Sequence, residues 1–167
     1  MQPTKRELGR LPSHDYASNS CYFVTTCTFE RQPFLAYIDE DKLVLTDIGE
    51  IVRTQISWLE KQYPYIQIRT FAIMPDHIHV LIKYSGYSYH DKIKIKPLSE
   101  IVGALKMTSA KLIHLHGLSA FRWQYRFYDS IIRNKKHYHA VQRYIRNNPN
   151  NYLKKMSFEL SNAGYRK

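Results

Sequence analysis

The chain has 167 residues, which suits one domain with a real core, and its 44% hydrophobic content excludes a disordered chain. Lys and Arg number 25 against 14 Asp and Glu, a formal charge of +11. Such an excess points to a polyanionic partner, nucleic acid before an anionic membrane surface. The opening MQPTKRELGRLPSHDY has no apolar signal-peptide core, and no stretch reaches the ~18 apolar residues of a membrane span. Cys21 and Cys27 fall on one expected strand, about 20 Å apart, too far to pair with each other. No CxxC zinc pattern occurs. The expected compartment is a reducing cytoplasm, with association to the nucleoid when DNA is bound.

Residues 1–20 are polar and carry Pro3, Gly9 and Pro12, as expected of a flexible arm ahead of one domain at 21–152. YFVTTCTF at 22–29 is rich in β-branched and aromatic residues and reads as a strand. A connection with Arg31 and Pro33 follows. A helix is expected from Asp47 to Gln62, with Asp47 and Glu50 at capping-box spacing and an apolar stripe of Ile48, Ile51, Val52, Ile56 and Leu59. Pro64 ends it. Strands follow at 66–74 and 77–83, joined tightly through Pro75 and Asp76. After a loop at 84–96, a second helix covers 98–116, lined by Leu98, Ile101, Leu105, Leu112 and Leu115 and capped by Gly117. WQYRFYDSII at 123–132 reads as a strand. Asn134 opens a last helix at 135–148, Pro149 stops it, and 153–167 form a tail. This order predicts an α+β domain: a ferredoxin-like or RRM-like antiparallel sheet with packed helices.

Three H-x-H pairs occur, at His77/His79, His114/His116 and His137/His139. In a strand, residues two apart share a face, so two imidazoles can converge on one metal ion. In a helix they diverge by about 200°. Only His77 and His79 fall in an expected strand, where Ile78, Val80 and Ile82 can face the core. Chemistry also needs a nucleophile and usually a third ligand. On the last helix, Tyr144 and Asn148 share a face at i,i+4, with His137 on the same side. Tyrosine can act as a covalent nucleophile, and an Asn carbonyl oxygen suits Mg²⁺ or Mn²⁺. Tyr138 and Gln142 repeat the spacing, but Tyr138 lies about 120° from Tyr144, beside the apolar stripe of Val141 and Ile145. Residue chemistry alone leaves both tyrosines open.

MPDHIHVLI resembles the signature of HUH transposases, two histidines flanking a hydrophobic residue. YIRNNP resembles the tyrosine-helix motif of the REP-associated tyrosine transposases, relatives of the insertion-sequence-200-like transposases. WQYRFYDSIIRN is similar to the strand these proteins carry between the two motifs, and LPSHDY with YFVTTCTFERQ to their start. The likeness spans roughly residues 10–150. It implies a single-strand DNA endonuclease and strand transferase in which His77, His79 and Asn148 hold Mg²⁺ or Mn²⁺ and Tyr144 forms a 5′-phosphotyrosine link. It also implies single-stranded or hairpin DNA as partner. Asn148, where the better-known branch has Gln, leans toward the REP-associated branch. That leaves a homodimer with shared active sites open.

Seven basic residues lie between 122 and 146, interleaved with Phe121, Trp123, Tyr125, Phe127 and Tyr128. Basic groups tracking phosphates beside aromatic faces suit single-stranded nucleic acid. Arg126, Arg133, Arg143 and Arg146 are DNA-contact candidates, with Lys106 on the second helix. Trp123 and Phe127 are better read as core. Asp129 is a candidate to orient a histidine or to pair with an arginine. Two other readings compete: a non-catalytic, RRM-like nucleic-acid-binding module, and a metallohydrolase that activates water.

Overall fold

The computed structural model describes residues 20–85 and 94–164. The expected arm at 1–20, apart from Ser20, lies outside them, as does most of the loop at 84–96. In chain order the elements are β1 (Cys21–Cys27), a short 3₁₀ turn (Phe29–Arg31), β2 (Ala36–Asp39), β3 (Lys42–Leu45), α1 (Asp47–Gln62), β4 (Ile66–Ile73), β5 (His77–Tyr84), α2 (Leu98–Leu115), β6 (Tyr128–Ile131) and α3 (Lys135–Gly164). The main sheet has the order β4-β5-β1-β6, and its pairings are antiparallel. Setting aside the β2–β3 hairpin, this is the β-α-β-β-α-β split of the ferredoxin-like arrangement.

The sheet has helices on both faces. On one face Tyr22 and Val24 of β1 and Ile78, Val80 and Ile82 of β5 meet Val52, Ile56 and Leu59 of α1 and Leu98, Ile101 and Leu105 of α2. On the other, Ala72, Met74 and Leu81 form a smaller cluster with Ile145 of α3, flanked by Phe23, Tyr138, Val141 and Tyr152. Strand alternation makes this division: successive side chains of β1 and β5 go to opposite layers.

Several local expectations change. The cap of α1 is Thr46, one residue before Asp47; its Oγ1 accepts from the Gly49 N–H at 3.1 Å and donates to the Phe34 carbonyl at 2.6 Å. Gly49 is needed because a Cβ there would lie 2.0 Å from the Leu35 carbonyl oxygen. On α2 the buried line is Leu98, Ile101, Val102, Leu105, Ser109 and Ile113; Leu112 and Leu115 face outward, so the expected stripe fails in its last turns. Gly117 closes that helix with a positive φ of 109°, as its cap position requires. The strand expected at 123–132 shrinks to 128–131, while Trp123 makes an isolated bridge to Thr28. β2 and β3, read as connection, form a hairpin whose turn puts Glu40 at φ 52°.

The largest correction concerns α3. Asn134 caps it as expected, its Oδ1 accepting from the His137 N–H at 2.8 Å. Pro149 does not stop it: the helix continues to Gly164 with the proline inside, so residues 153–164 are helix and not tail. Proline forfeits the bond to the carbonyl four residues back and crowds that carbonyl with its ring, a cost that packing beyond it must offset. Beyond it, Tyr152 packs beside the cluster of Ala72, Met74, Leu81 and Ile145 and keeps the helix on the sheet.

Candidate active site

His77 and His79 lie on β5 opposite Cys27 and Thr25 of β1, on the face that α3 covers. Their rings are 4.7 Å apart between centroids, at 76°. The other H-x-H pairs diverge as helical geometry requires: His114 Nε2 is 2.8 Å from the Phe121 carbonyl oxygen, whereas His116 faces Asp47 at 3.6 Å. His137 and His139 lie on α3, the first half-buried and the second exposed.

Each site histidine is held from behind. Asp76 Oδ1 lies 2.6 Å from His77 Nδ1, and Thr25 Oγ1 lies 2.7 Å from His79 Nδ1. The Asp76 carboxylate accepts from Nδ1 of His77, and the Thr25 hydroxyl orients the His79 ring; each leaves Nε2 for a ligand, the usual support for a metal-binding imidazole. His79 is 5% exposed, and its Nε2 is buried with no hydrogen-bond partner. A buried polar atom left unpaired is costly unless a ligand satisfies it. Burial lowers the His79 pKa to about 4, helped by His77 and Arg31 and opposed by Asp76. The ring is therefore neutral at pH 7, as a metal ligand must be.

Tyr144 stands against this pair. Its ring is 5.3 Å from that of His79 and 5.9 Å from Phe23, while Phe23 is 5.3 Å from His79. Tyr144 remains 48% exposed and so is open to a substrate. Tyr138 is elsewhere: its hydroxyl oxygen accepts from Arg69 Nε at 3.2 Å, at the edge strand β4. Tyr152, one helical repeat beyond Asn148, feels the charge of Asp76, although burial is the larger cause of its raised pKa. Asn148 is half-buried on α3, four residues beyond Tyr144 and so on the same side of the helix.

Among the described residues no group of three or more His, Cys, Asp or Glu could hold a metal ion. A third protein ligand at this pair would have to be of another type, such as the Asn148 amide oxygen. The donor set on those terms is mixed, with two imidazoles of the type that suits transition-metal ions and an amide oxygen that suits harder ones, so it fits a divalent cation of intermediate character such as Mn²⁺ better than Mg²⁺.

Other candidates sort differently. Asp129 pairs with Val24 in the sheet, so it belongs to the α1–α2 face and is not brought to the histidines. Lys106 Nζ donates to the carbonyls of Gln124 and Tyr125, the latter at 3.0 Å, and so fastens the 121–127 segment. Arg126, Arg133, Arg143 and Arg146 are all exposed, the last two on α3 beside Tyr144. Phe127 is half-buried and Trp123 buried against the main core, as expected.

Sequence reasoning passed over Thr25, Phe23, Arg31 and Tyr152. Arg31 is bound to Asp76 Oδ2 at 3.4 Å and donates to Cys27 Sγ at 3.1 Å. It and Glu30 both have positive φ, 57° and 52°, an uncommon backbone for such residues, of the kind that gathers at functional sites. Asp76 alone had a signal, its place next to His77.

The family model "Transposase IS200 like" matches residues 37–148. The chain belongs to the IS200-like transposase family. An uncharacterised protein of Haemophilus influenzae is 25% identical over 154 residues, covering 84% of this chain and 86% of that one. Among solved structures, a REP-associated tyrosine transposase bound to a REP hairpin superposes with a TM-score of 0.61 at 22% identity, covering 86% of this chain and 74% of that chain. At that identity the likeness is one of fold. Membership implies a DNA-cleaving enzyme. Among the described residues no helix is long and apolar enough to cross a membrane.

Proposed function

We propose that this transposase nicks and rejoins single-stranded or hairpin DNA through a covalent bond to Tyr144. The observation that carries the reading is Tyr144 packed on His79, whose Nε2 is buried and unpaired. His77, His79 and Asn148 would hold Mg²⁺ or Mn²⁺, which when bound polarises the scissile phosphate and offsets developing charge. Asp76 and Thr25 fix the two imidazoles. Arg31, tied to Asp76, adds positive charge at the mouth of the site. The Tyr144 oxygen forms a bond to phosphorus, and the bond from phosphorus to the 3′-oxygen breaks. The phenolic proton is balanced by protonation of that oxygen, leaving a 5′-phosphotyrosine and a 3′-hydroxyl. Attack by another 3′-hydroxyl reverses the step without a nucleotide cofactor, since one phosphodiester replaces another. Exposed Arg126, Arg133, Arg143 and Arg146 would follow the strand's phosphates.

Within one chain Tyr144 faces His79. The same reading assigns the protein to the cytoplasm, with the DNA it acts on. The test is to incubate end-labelled single-stranded hairpin DNA with Mn²⁺ or Mg²⁺ and look for a denaturation-resistant protein–DNA adduct. Parent protein and Tyr138→Phe should form it, and Tyr144→Phe should not. An adduct with Tyr144→Phe overturns the assignment of the nucleophile. Cleavage without an adduct assigns water as nucleophile, and binding without cleavage assigns a module with no chemistry.

A further inference from the structure

At the end of β1, on the α2 side of the sheet and across it from the histidines, α2 and the segment 121–127 enclose an open-sided depression of roughly 350 Å³. That is within the size range of small-molecule sites. Its lining includes Lys106, Met107, Arg122, Trp123, Tyr125 and Phe127, and none of its lining residues is Asp or Glu. We propose that this depression receives one unpaired nucleobase of the strand held at His77 and His79. The proposal rests on the reading of that site as one for single-stranded DNA.

Three observations carry it. The first is position. The Gln124 N–H donates to the Cys27 carbonyl at 2.9 Å, Trp123 bridges to Thr28, and Cys27 is the sheet partner of His77. Two strand spacings, about 10 Å, separate the His77 and Gln124 backbones. A strand lying over the histidines on the α3 side reaches the depression by turning round the end of β1.

The second is chemistry. Tyr125 is 95% exposed and Met107 70% exposed, a large apolar outlay at one rim. Flat aromatic faces and a polarisable thioether suit the face of a base, and base–aromatic stacking tolerates any sequence. Two cations with no acid complement a ligand whose backbone is anionic, which a purely apolar peptide would not require. The third is rigidity. Lys106 fastens the carbonyls of Gln124 and Tyr125, Arg122 Nη1 donates to the carbonyls of Ser119 at 2.6 Å and Phe121 at 2.7 Å, and Trp123 Nε1 donates to Ser109 Oγ at 3.0 Å. The guanidinium is thereby set as a planar cation at the rim, able to stack on a base or meet its phosphate.

The test uses Tyr125→Ala combined with Met107→Ala, at exposed positions where the fold loses little. Binding is measured for an oligothymidylate of about 15 nucleotides, near the upper site size of single-strand modules, and for an abasic strand of equal length. The parent protein should bind the oligothymidylate about tenfold tighter than the abasic strand. The double variant should lose that preference while its affinity for the abasic strand stays unchanged. Equal losses on both strands, or none, overturn the base receptor while leaving the site reading intact. A parent protein that binds neither strand overturns both. A variant that changes self-association instead of base preference assigns the surface to a second copy of the chain and overturns the proposal.

Discussion

On the face of the sheet covered by α1 and α2, Ile78, Val80 and Ile82 enter a broad layer that includes some twenty buried residues. One residue along the same strand, on the face covered by α3, His77 and His79 share the sheet with a cluster of four buried residues. The first face is held by packing, though it too buries an unpaired hydroxyl, Thr26 Oγ1 opposite Ile78. The second buries an imidazole nitrogen with no partner and leaves Tyr144 half in solvent. Adjacent positions on β5 should therefore respond to mutation in opposite ways, one set through stability and the other through activity.

The largest expected effect belongs to the α3 face. His79→Leu keeps similar volume and removes the orphaned nitrogen. Adduct formation should fall by roughly a thousandfold or more, the cost of several kcal/mol of lost charge stabilisation. Unfolding of the metal-free protein should move by only about 1–3 kcal/mol: Nε2 had no bond to lose, but Nδ1 gives up its bond to Thr25 Oγ1. Denaturant titration with chelator present, set against the adduct assay, checks both halves. A large loss of stability would mean that His79 belongs to the core.

Next comes Ile78→Ala, one residue away on the other face. Ile78 is fully buried, and truncation should cost about 2–5 kcal/mol. The fraction that stays folded should form adduct at the parent rate. If activity per folded molecule collapses too, the two faces are mechanically coupled and the comparison fails.

The contrast also explains what could be read from sequence. Ile78, Val80 and Ile82 alternate with the histidines, so strand period alone separates the faces and places His77 with His79. The same rule separated that pair from the two helical ones. What was lost depends on long-range packing. Pro149 carries a local stop signal, yet Tyr152 on the far side docks in the second cluster and the helix continues. The β2–β3 hairpin is four residues a side around a charged turn, too short for periodicity to register. Residues 124–127 look like strand but lie over Lys106, whose ammonium takes two of their carbonyls. Thr25 meets His79 across 54 positions of chain, and no spacing announces such a bond. Tyr144 was favoured over Tyr138 by the family motif; the Arg69–Tyr138 bond supplies a physical reason.

A smaller effect follows from the His79 environment. Its folded pKa is lowered to about 4, chiefly by burial, against about 6.5 in an unfolded chain. Between those values the unfolded state binds a proton that the native state refuses. Stability of the metal-free protein is therefore complete above about pH 6.5 and declines as pH falls toward 4, by up to about 3 kcal/mol. His79→Leu should flatten that part of the profile. A slope that persists unchanged in the variant would place its origin elsewhere.

The smallest effect tests whether the α3 face opens by itself. Asn134 caps α3 through the His137 N–H, and Asn134→Ala should cost about 1 kcal/mol. Native-state hydrogen exchange of the parent separates the possibilities, because sub-global opening has its own free energy. If α3 is a separate cooperative unit, its first turns should exchange faster than the β5 amides at Val80 and Ile82. The variant should then speed both by about fivefold, since global unfolding also melts the capped turn. Adduct formation should fall by the fraction of time that Tyr144 spends away from His79. Equal protection of α3 and β5 in the parent would mean that both faces open together, and that the thin cluster under α3 is no weaker a tie than the broad core opposite.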